Sequence, residues 1–252
     1  MTHDKAAIVE RFFARTGPSY DAVVRYFTLG IDWRWKRRIL AALPPTPRRV
    51  LDLACGTGIL TFAIARAYPD CRVVGVDISR GYLDVAEAKA ARSDRVTFVH
   101  QLAETFVSDQ PFDAVTASYL PKYADLDRLI PQIAAMLVPG GVVILHDFTY
   151  PTHSLLQQIF RLYFRWIPSI GGHFYPEWEE TLRELPEVIR TTTWVAESVA
   201  AMRRSGLRDI QVTSLTLQGA ALITARKERS SWESGRESVS FLSSMPRSLE
   251  HF

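Results

Sequence analysis

Five short runs of Val, Ile, Leu and Phe recur after residue 48, and each is separated from the next by a segment of a different period. They read "RRVLDLA", "CRVVGVDIS", "RVTFVHQLA", "FDAVTASYL" and "GGVVILHDFTY". "GILTFAIARAYP", "RGYLDVAEAKAARS" and "LDRLIPQIAAML" lie between them with helical spacing, the last in spite of Pro131. Strands that are apolar along their whole length are buried on both faces. Alternation with helices supplies the cover, so the pattern predicts a parallel α/β sheet. Two late strand candidates, "RDIQVTSLTL" and "AALITARK", can pair as a hairpin across Gln218-Gly219, an antiparallel edge on that sheet.

The flanks are helical. "AAIVERFFARTG" is interrupted at Gly17-Pro18, and "YDAVVRYFTLGIDWRWKRRILAALPP" breaks near Gly30 and stops at Pro44, Pro45 and Pro47. After the fifth strand, "SLLQQIFRLYFRWI" (154–167) is apolar and aromatic with two arginines, and a further helix is expected around "VAESVAAMRRSGL". The reading is one domain over residues 1–228: a helical N-terminal cap (1–47), a core (48–150), cap helices (151–205) and terminal strands (206–228). A Ser-rich, partly ordered tail (229–252) follows.

Composition narrows the function classes. A formal charge of +3 on 252 residues is weak support for an anionic partner. Cys55 and Cys71 are too few for a disulfide framework and have no metal-ligand spacing; reduced thiols in a cytoplasmic protein are the expectation. The six histidines form no ligand pair such as His-x-x-x-His, so no metal is expected. "MTHDKAAIVERFF" does not read as a signal peptide, and no run reaches the roughly 18 apolar residues of a membrane span.

The loop after the first strand carries the chemistry. In "VLDLACGTG", Asp52 ends the strand and Gly56-Thr57-Gly58 open the next helix, while Asp77 ends the second strand. Ligands of open α/β sheets bind outside the carboxyl ends of strands, and an acid at Asp77 can accept both hydroxyls of a ribose. A nicotinamide dinucleotide would bring a pyrophosphate beside Asp52, where like charges repel. The Gly-x-Gly-x-x-Gly fingerprint is also incomplete: Gly56 and Gly58 are followed by Thr61. S-adenosylmethionine carries an ammonium and a sulfonium, which a neighbouring acid attracts.

With these residues in place, "VLDLACGTG", "VVGVDIS", "FDAVTAS" and "MLVPGG" resemble the motifs of class I S-adenosylmethionine-dependent methyltransferases. The ordered series "FFARTGPSYD", "LGIDWRWKRR", "DFTYP", "YFRWIPSIGG", "LRELPEVIR", "MRRSGL" and "LTLQGAALITARK" is similar to the ubiquinone/menaquinone biosynthesis C-methyltransferase family over residues 12–227. The resemblance implies a Rossmann-like class I methyltransferase fold, with a mostly parallel seven-stranded sheet, an antiparallel last strand and a helical cap. It places Thr57, Asp77, Leu102-Ala103 and Ser118 at the cofactor, and the pair Tyr20-Asp21 where the site closes near the methyl group. Asp147 falls where the family usually has Glu, and Lys122-Tyr123 where Arg or Lys with Asn is usual. Two departures concern the site: Leu120 replaces an expected glycine, and Leu102 replaces an Asn or Asp that meets adenine, a contact Glu104 or a backbone carbonyl could take over.

The expected cofactor-binding set is Asp52, Ala54, Gly56, Thr57, Gly58, Asp77, Ile78, Leu102, Ala103 and Ser118. The expected reaction is C-methylation of a quinol-like aromatic or lipid quinone precursor, releasing S-adenosylhomocysteine. It needs a group that takes or shares a phenolic proton. Asp147, just past the fifth strand, is the leading candidate, against the plainer role of a cap or loop acid; His146 and Tyr20 complete the catalytic set. Strand alternation turns one of His146 and Asp147 toward the site and the other away. O- or N-methylation of another small hydrophobic or aromatic metabolite is the alternative, and a cofactor-binding protein without turnover is the third reading. "SYLPKY" lacks the Asn/Asp-Pro-Pro-Tyr pattern of enzymes that methylate base nitrogens, so no nucleic-acid partner is expected. The remaining expectations are a small hydrophobic or aromatic acceptor, a homodimer, and cytoplasmic residence with peripheral contact at the inner face of a membrane through Arg161 and Arg165.

Overall fold

Residues 16–90 and 93–229 are described by a computed structural model. The helical reading of residues 5–15 and the partly ordered tail from 230 onward lie outside the described residues. A 3-10 turn, Gly17–Ser19, leads into α1 (Tyr20–Phe27) and α2 (Asp32–Ala42). The alternating region then runs β1 (Arg49–Leu53), α3 (Ile59–Ala67), β2 (Arg72–Asp77), α4 (Arg80–Ala90), β3 (Val96–His100), β4 (Phe112–Ser118), α5 (Leu126–Met136) and β5 (Leu137–Phe148). The cap elements are α6 (Ser154–Phe174), α7 (Glu179–Thr191) and α8 (Trp194–Arg204). The last elements among the described residues are β6 (Leu207–Leu215) and β7 (Ala220–Lys227).

The seven strands lie in the order β3-β2-β1-β4-β5-β7-β6. β1 pairs in parallel with both β2 and β4, and β7 runs antiparallel between β5 and β6. The chain reverses its winding between β1 and β4, so the loops after these strands diverge and leave a crevice at their carboxyl ends. This is the Rossmann-like fold expected, with its mostly parallel seven-stranded sheet.

The central strands are mostly apolar because both faces of the sheet are covered. One face packs Leu51, Leu53, Val115 and Val143 against Leu129, Ile133, Trp194 and Met202 from α5 and α8. The other packs Val50, Val73, Ala114 and Ile144 against Trp35, Ile39, Leu60 and Ile64 from α2 and α3. Pro131 cannot donate within α5, yet the helix runs on, because Leu126, Leu129, Ile130 and Ile133 bury one continuous stripe. The Trp194 indole N–H donates to the Phe148 carbonyl at 2.7 Å, tying α8 to the end of β5.

Two elements exceed their sequence expectation. β5 starts at Leu137, ahead of Gly140, and its pairing with β4 shifts register between Phe112 and Ala114 to absorb the Pro139-Gly140 pair. α6 runs past Pro168 to Phe174. Close packing explains the continuation: a Cβ at Gly171 would lie 2.3 Å from the Phe27 ring and 2.5 Å from Leu182, so only glycine lets α6 meet α1 and α7 this closely. The β6–β7 turn is strained, since Thr216, Leu217 and Gln218 all have positive φ (36°, 52° and 64°). It is held from outside by Trp35 Nε1, which donates to Thr216 Oγ1 at 2.8 Å, and by the Thr149 N–H, which donates to the Gly219 carbonyl at 3.1 Å.

Candidate active site

The β1–α3 loop is wound tightly. Ala54, Gly56 and Gly58 all have positive φ (54°, 57° and 83°). Gly58 is the N-cap of α3. Ala54 takes this conformation with a Cβ present, at a strain of roughly 1 kcal/mol or more. The Cys55 N–H donates to the Val76 carbonyl at 3.0 Å, which pins the loop to β2. Cys55 itself is buried, and burial pushes its thiol well above the ordinary range, so it packs as a small apolar side chain.

The two carboxylates at the strand ends have different surroundings. Asp77 accepts the Gly56 N–H on Oδ2 at 2.7 Å and the Ser79 N–H on Oδ1 at 2.8 Å. Burial raises its pKa against the lowering effect of these bonds. Each oxygen keeps a lone pair. Asp52 lies deeper: Oδ2 accepts from Thr61 Oγ1 at 2.6 Å and Oδ1 from Thr116 Oγ1 at 2.8 Å, so one carboxylate joins β1, α3 and β4. Burial pushes its pKa up to about 6, against the lowering pull of both threonine hydroxyls and the Lys36 ammonium.

A cleft of about 570 Å³ opens along the carboxyl ends of β1, β2, β3 and β4. Seven of the ten expected cofactor residues line it: Ala54, Gly56, Asp77, Ile78, Leu102, Ala103 and Ser118. The other three sit behind the wall. Thr57 is fully buried and its hydroxyl donates to the Asp21 carboxylate, while Lys89 bridges Asp21 Oδ2 at 2.6 Å and the Thr57 carbonyl at 3.1 Å. This triad fastens α1 over the loop. Gly58 shapes the turn, and Asp52 borders a small recess with Lys36, Tyr20 and Tyr119. Leu102 offers no side-chain acceptor, but Glu104 lines the same cleft two residues on. Its Oε1 accepts the Asp125 N–H at 3.0 Å, and its Oε2 is buried with no protein partner.

Tyr20, Tyr82, Tyr119 and Tyr123 give the cleft an aromatic wall. Burial holds the phenols of Tyr20 and Tyr119 well above their ordinary pKa, so both are protonated donors. Tyr119 Oη donates to Asp32 Oδ1 at 2.6 Å. Asp32 also faces Lys36 at 3.2 Å, and Lys36 Nζ donates to Ser118 Oγ at 2.7 Å. Ser118 Oγ lies 2.9 Å from His146 Nδ1. Burial and the nearby Lys36 and Lys122 ammoniums hold His146 neutral, and its Nε2 has no partner. This buried chain draws on α2, β4 and β5. Asp32 and Lys36 were not among the sequence candidates; their signal was an acid–base pair at i and i+4 inside an otherwise basic, aromatic helix.

His146 and Asp147 are both fully buried, because β5 is covered on both faces. Asp147 does not line the cleft. Its Oδ1 accepts from Lys122 Nζ and from the Phe148 N–H, each at 2.7 Å, and its Oδ2 from the Lys122 N–H at 3.0 Å. The pair holds the turn that carries Tyr119 and Tyr123. Among the described residues no group of three His, Cys, Asp or Glu side chains is placed to hold a metal ion.

The cleft suits a cationic nucleoside better than a dinucleotide. It presents Asp77, a buried unpaired carboxylate oxygen at Glu104, and aromatic rings, with Asp52 behind the loop. The model of the ubiE/COQ5 methyltransferase family matches residues 1–227. The chain is 36% identical over 174 residues to a demethylmenaquinone methyltransferase of Deinococcus radiodurans, covering 67% of this chain and 72% of that one. It is 33% identical over 216 residues to a demethylmenaquinone methyltransferase of Thermus thermophilus, covering 83% and 97%. Among solved structures, the apo form of the S-adenosylmethionine-dependent methyltransferase SibL superposes with a TM-score of 0.56 at 21% identity; the match spans 81% of this chain and 58% of that longer one, a likeness of fold.

Proposed function

The chain belongs to the ubiE/COQ5 methyltransferase family and is an S-adenosylmethionine-dependent methyltransferase, and on that premise we propose that it methylates a ring carbon of a quinol of the demethylmenaquinol type. The observation that carries the acceptor class is the likeness to demethylmenaquinone methyltransferases, which extends over 97% of the Thermus thermophilus protein. The tyrosine-lined wall of the cleft supports it, because flat aromatic rings pack well against such a surface.

When bound, S-adenosylmethionine supplies a methyl group already activated on a sulfonium, so the protein's task is positioning and control of one proton. Asp77 would accept the ribose hydroxyls through its remaining lone pairs. Ile78, Leu102 and Ala103 would pack on the adenine, and Glu104 Oε2 would accept from its amino group. Ala54 and Gly56 let the backbone approach, and Gly58 sets the helix that follows. Tyr20 would orient an acceptor hydroxyl from above the loop. Tyr119 donates its own proton to Asp32, which leaves its oxygen able to accept one from the acceptor; the shared proton then lies on the path toward Asp32. His146 and Ser118 complete the buried chain behind that path, and Asp147 holds Lys122 and the turn in place.

Incubating the full chain with S-adenosylmethionine and reduced demethylmenaquinone, followed by mass spectrometry and fragmentation, tests the reading. A product heavier by one methylene and methylated on the ring carbon is expected. A methyl ether would move the assignment to O-methylation, and cofactor binding without turnover on any quinol would sink it.

A further inference from the structure

The outer face of α6 is apolar where a soluble surface is ordinarily polar. Leu155, Ile159, Leu162 and Trp166 are 57%, 49%, 59% and 59% exposed. Their spacing of four, three and four residues puts them on one stripe along the helix. Arg161 and Arg165 are exposed along one side of that stripe, and α6 contains no acidic residue. The inner side of the helix is already engaged: the Tyr163 hydroxyl donates to the Phe27 carbonyl, and Gly171 seats against the Phe27 ring.

Those contacts bring the N-terminal helices against α6. Tyr26 and Leu29, on either side of the anchoring Phe27 and Thr28, are exposed. On α2, Trp33 is exposed and carries the Arg37 guanidinium over its ring at 4.9 Å. Arg25, Arg34 and Arg38 are exposed as well. The one acid between residues 22 and 47 is Asp32, and it is buried in its ion pair with Lys36. Six exposed arginines thus accompany the apolar residues of these helices, although the chain as a whole carries only +3. No helix among the described residues is long and apolar enough to cross a membrane.

We propose that α6, together with the α1–α2 turn, is a docking face for an anionic phospholipid bilayer. α6 lies in the plane of the interface, its leucines, isoleucine and tryptophan reach the acyl boundary, and the arginines meet lipid phosphates. Apolar side chains flanked by arginine on an amphipathic helix of this length suit that role. A second copy of this chain fits less well, because the same arginine-rich surface would then face itself across a twofold axis.

The proposal stands apart from the identity of the acceptor, and vesicle binding without quinol or cofactor tests it. The full chain is sedimented with phosphatidylcholine–phosphatidylglycerol vesicles and with phosphatidylcholine vesicles. Binding to the anionic vesicles that weakens with added salt is expected. Neutralising two arginines in the double variant R161Q/R165Q lowers the partition coefficient roughly 30-fold, at the usual contribution per arginine near an anionic surface. The double variant L162E/W166E abolishes binding, while its circular dichroism and its affinity for S-adenosylmethionine stay at the parent's values. Binding of the parent to neither vesicle, equal binding to both, or retention of binding by the arginine variant overturns the proposal. So does a parent dimer in sedimentation velocity that L162E/W166E converts to monomer.

Discussion

Replacing Asp52 by Asn isolates the cost of keeping a buried acid under the cofactor loop. In the folded state the Asp52 pKa is raised from 3.8 to about 6. A carboxyl whose pKa rises on folding binds its proton more tightly in the native state. The associated stability is fully present below the unfolded value and is lost as pH climbs through the folded one. The displacement of about 2 pH units corresponds to about 3 kcal/mol at 1.36 kcal/mol per unit. Asp52 is 1% exposed, so solvent does not screen this away. Asn cannot titrate, yet it keeps a carbonyl acceptor for one threonine, and its amide can donate to the other hydroxyl. Groups that do not feel the Asp52 charge titrate alike in both proteins and cancel in the difference. The stability difference, variant minus parent, should therefore rise in favour of Asp52→Asn by roughly 2–3 kcal/mol between about pH 4 and pH 8, whatever its offset at low pH. Urea unfolding of both proteins at several pH values, without cofactor, measures this directly. A difference that stays flat across the range, or moves in favour of the parent, would refute the assignment of Asp52 as a strained, desolvated acid.

Two further perturbations probe the site. Lys122→Met and Asp147→Asn each strand one member of a fully buried pair and should each destabilise by about 3–5 kcal/mol, whereas the double variant loses less than their sum; a denaturant double-mutant cycle with no coupling would remove the pair as the anchor of its turn. Glu104→Gln exchanges the unpaired acceptor oxygen for a mixed acceptor–donor group and should weaken S-adenosylmethionine binding by roughly tenfold in calorimetry, with little effect on the melting temperature; unchanged affinity would take Glu104 off the adenine.

What the chain discloses before folding depends on how local the signal is. The strands of the core are legible because residues buried on both faces are mostly apolar in an unbroken run, as in Val142–Leu145. Asp77 is legible because a strand end fixes where its side chain points. The extension of α6 past Pro168 is hidden, since it depends on a glycine meeting Phe27 from a helix more than a hundred residues earlier. The chain from Tyr119 through Asp32, Lys36 and Ser118 to His146 is hidden for the same reason: three segments supply it and none is unusual alone. Alternation along β5 separates His146 from Asp147, but it does not decide which faces ligand when helices cover both sides; one meets Ser118 and the other Lys122. Leu102 marks a lost side-chain acceptor in the sequence, and only the folded loop brings Glu104 Oε2 to the same cleft.

The tip of the β6–β7 turn has a mechanical consequence. Gln218 accepts Thr149 Oγ1 on its carbonyl at 2.7 Å, and its side-chain oxygen accepts the Thr152 N–H at 2.9 Å, while Trp35 grips Thr216 from the opposite side. The stretch from Thr149 to Thr152 is thus clasped to the sheet before α6 begins at Ser154. Farther along, Tyr163 and Gly171 hold the same helix against Phe27 and Leu182, so α6 is fixed near both of its ends and behaves as a strut between the sheet and the N-terminal helices.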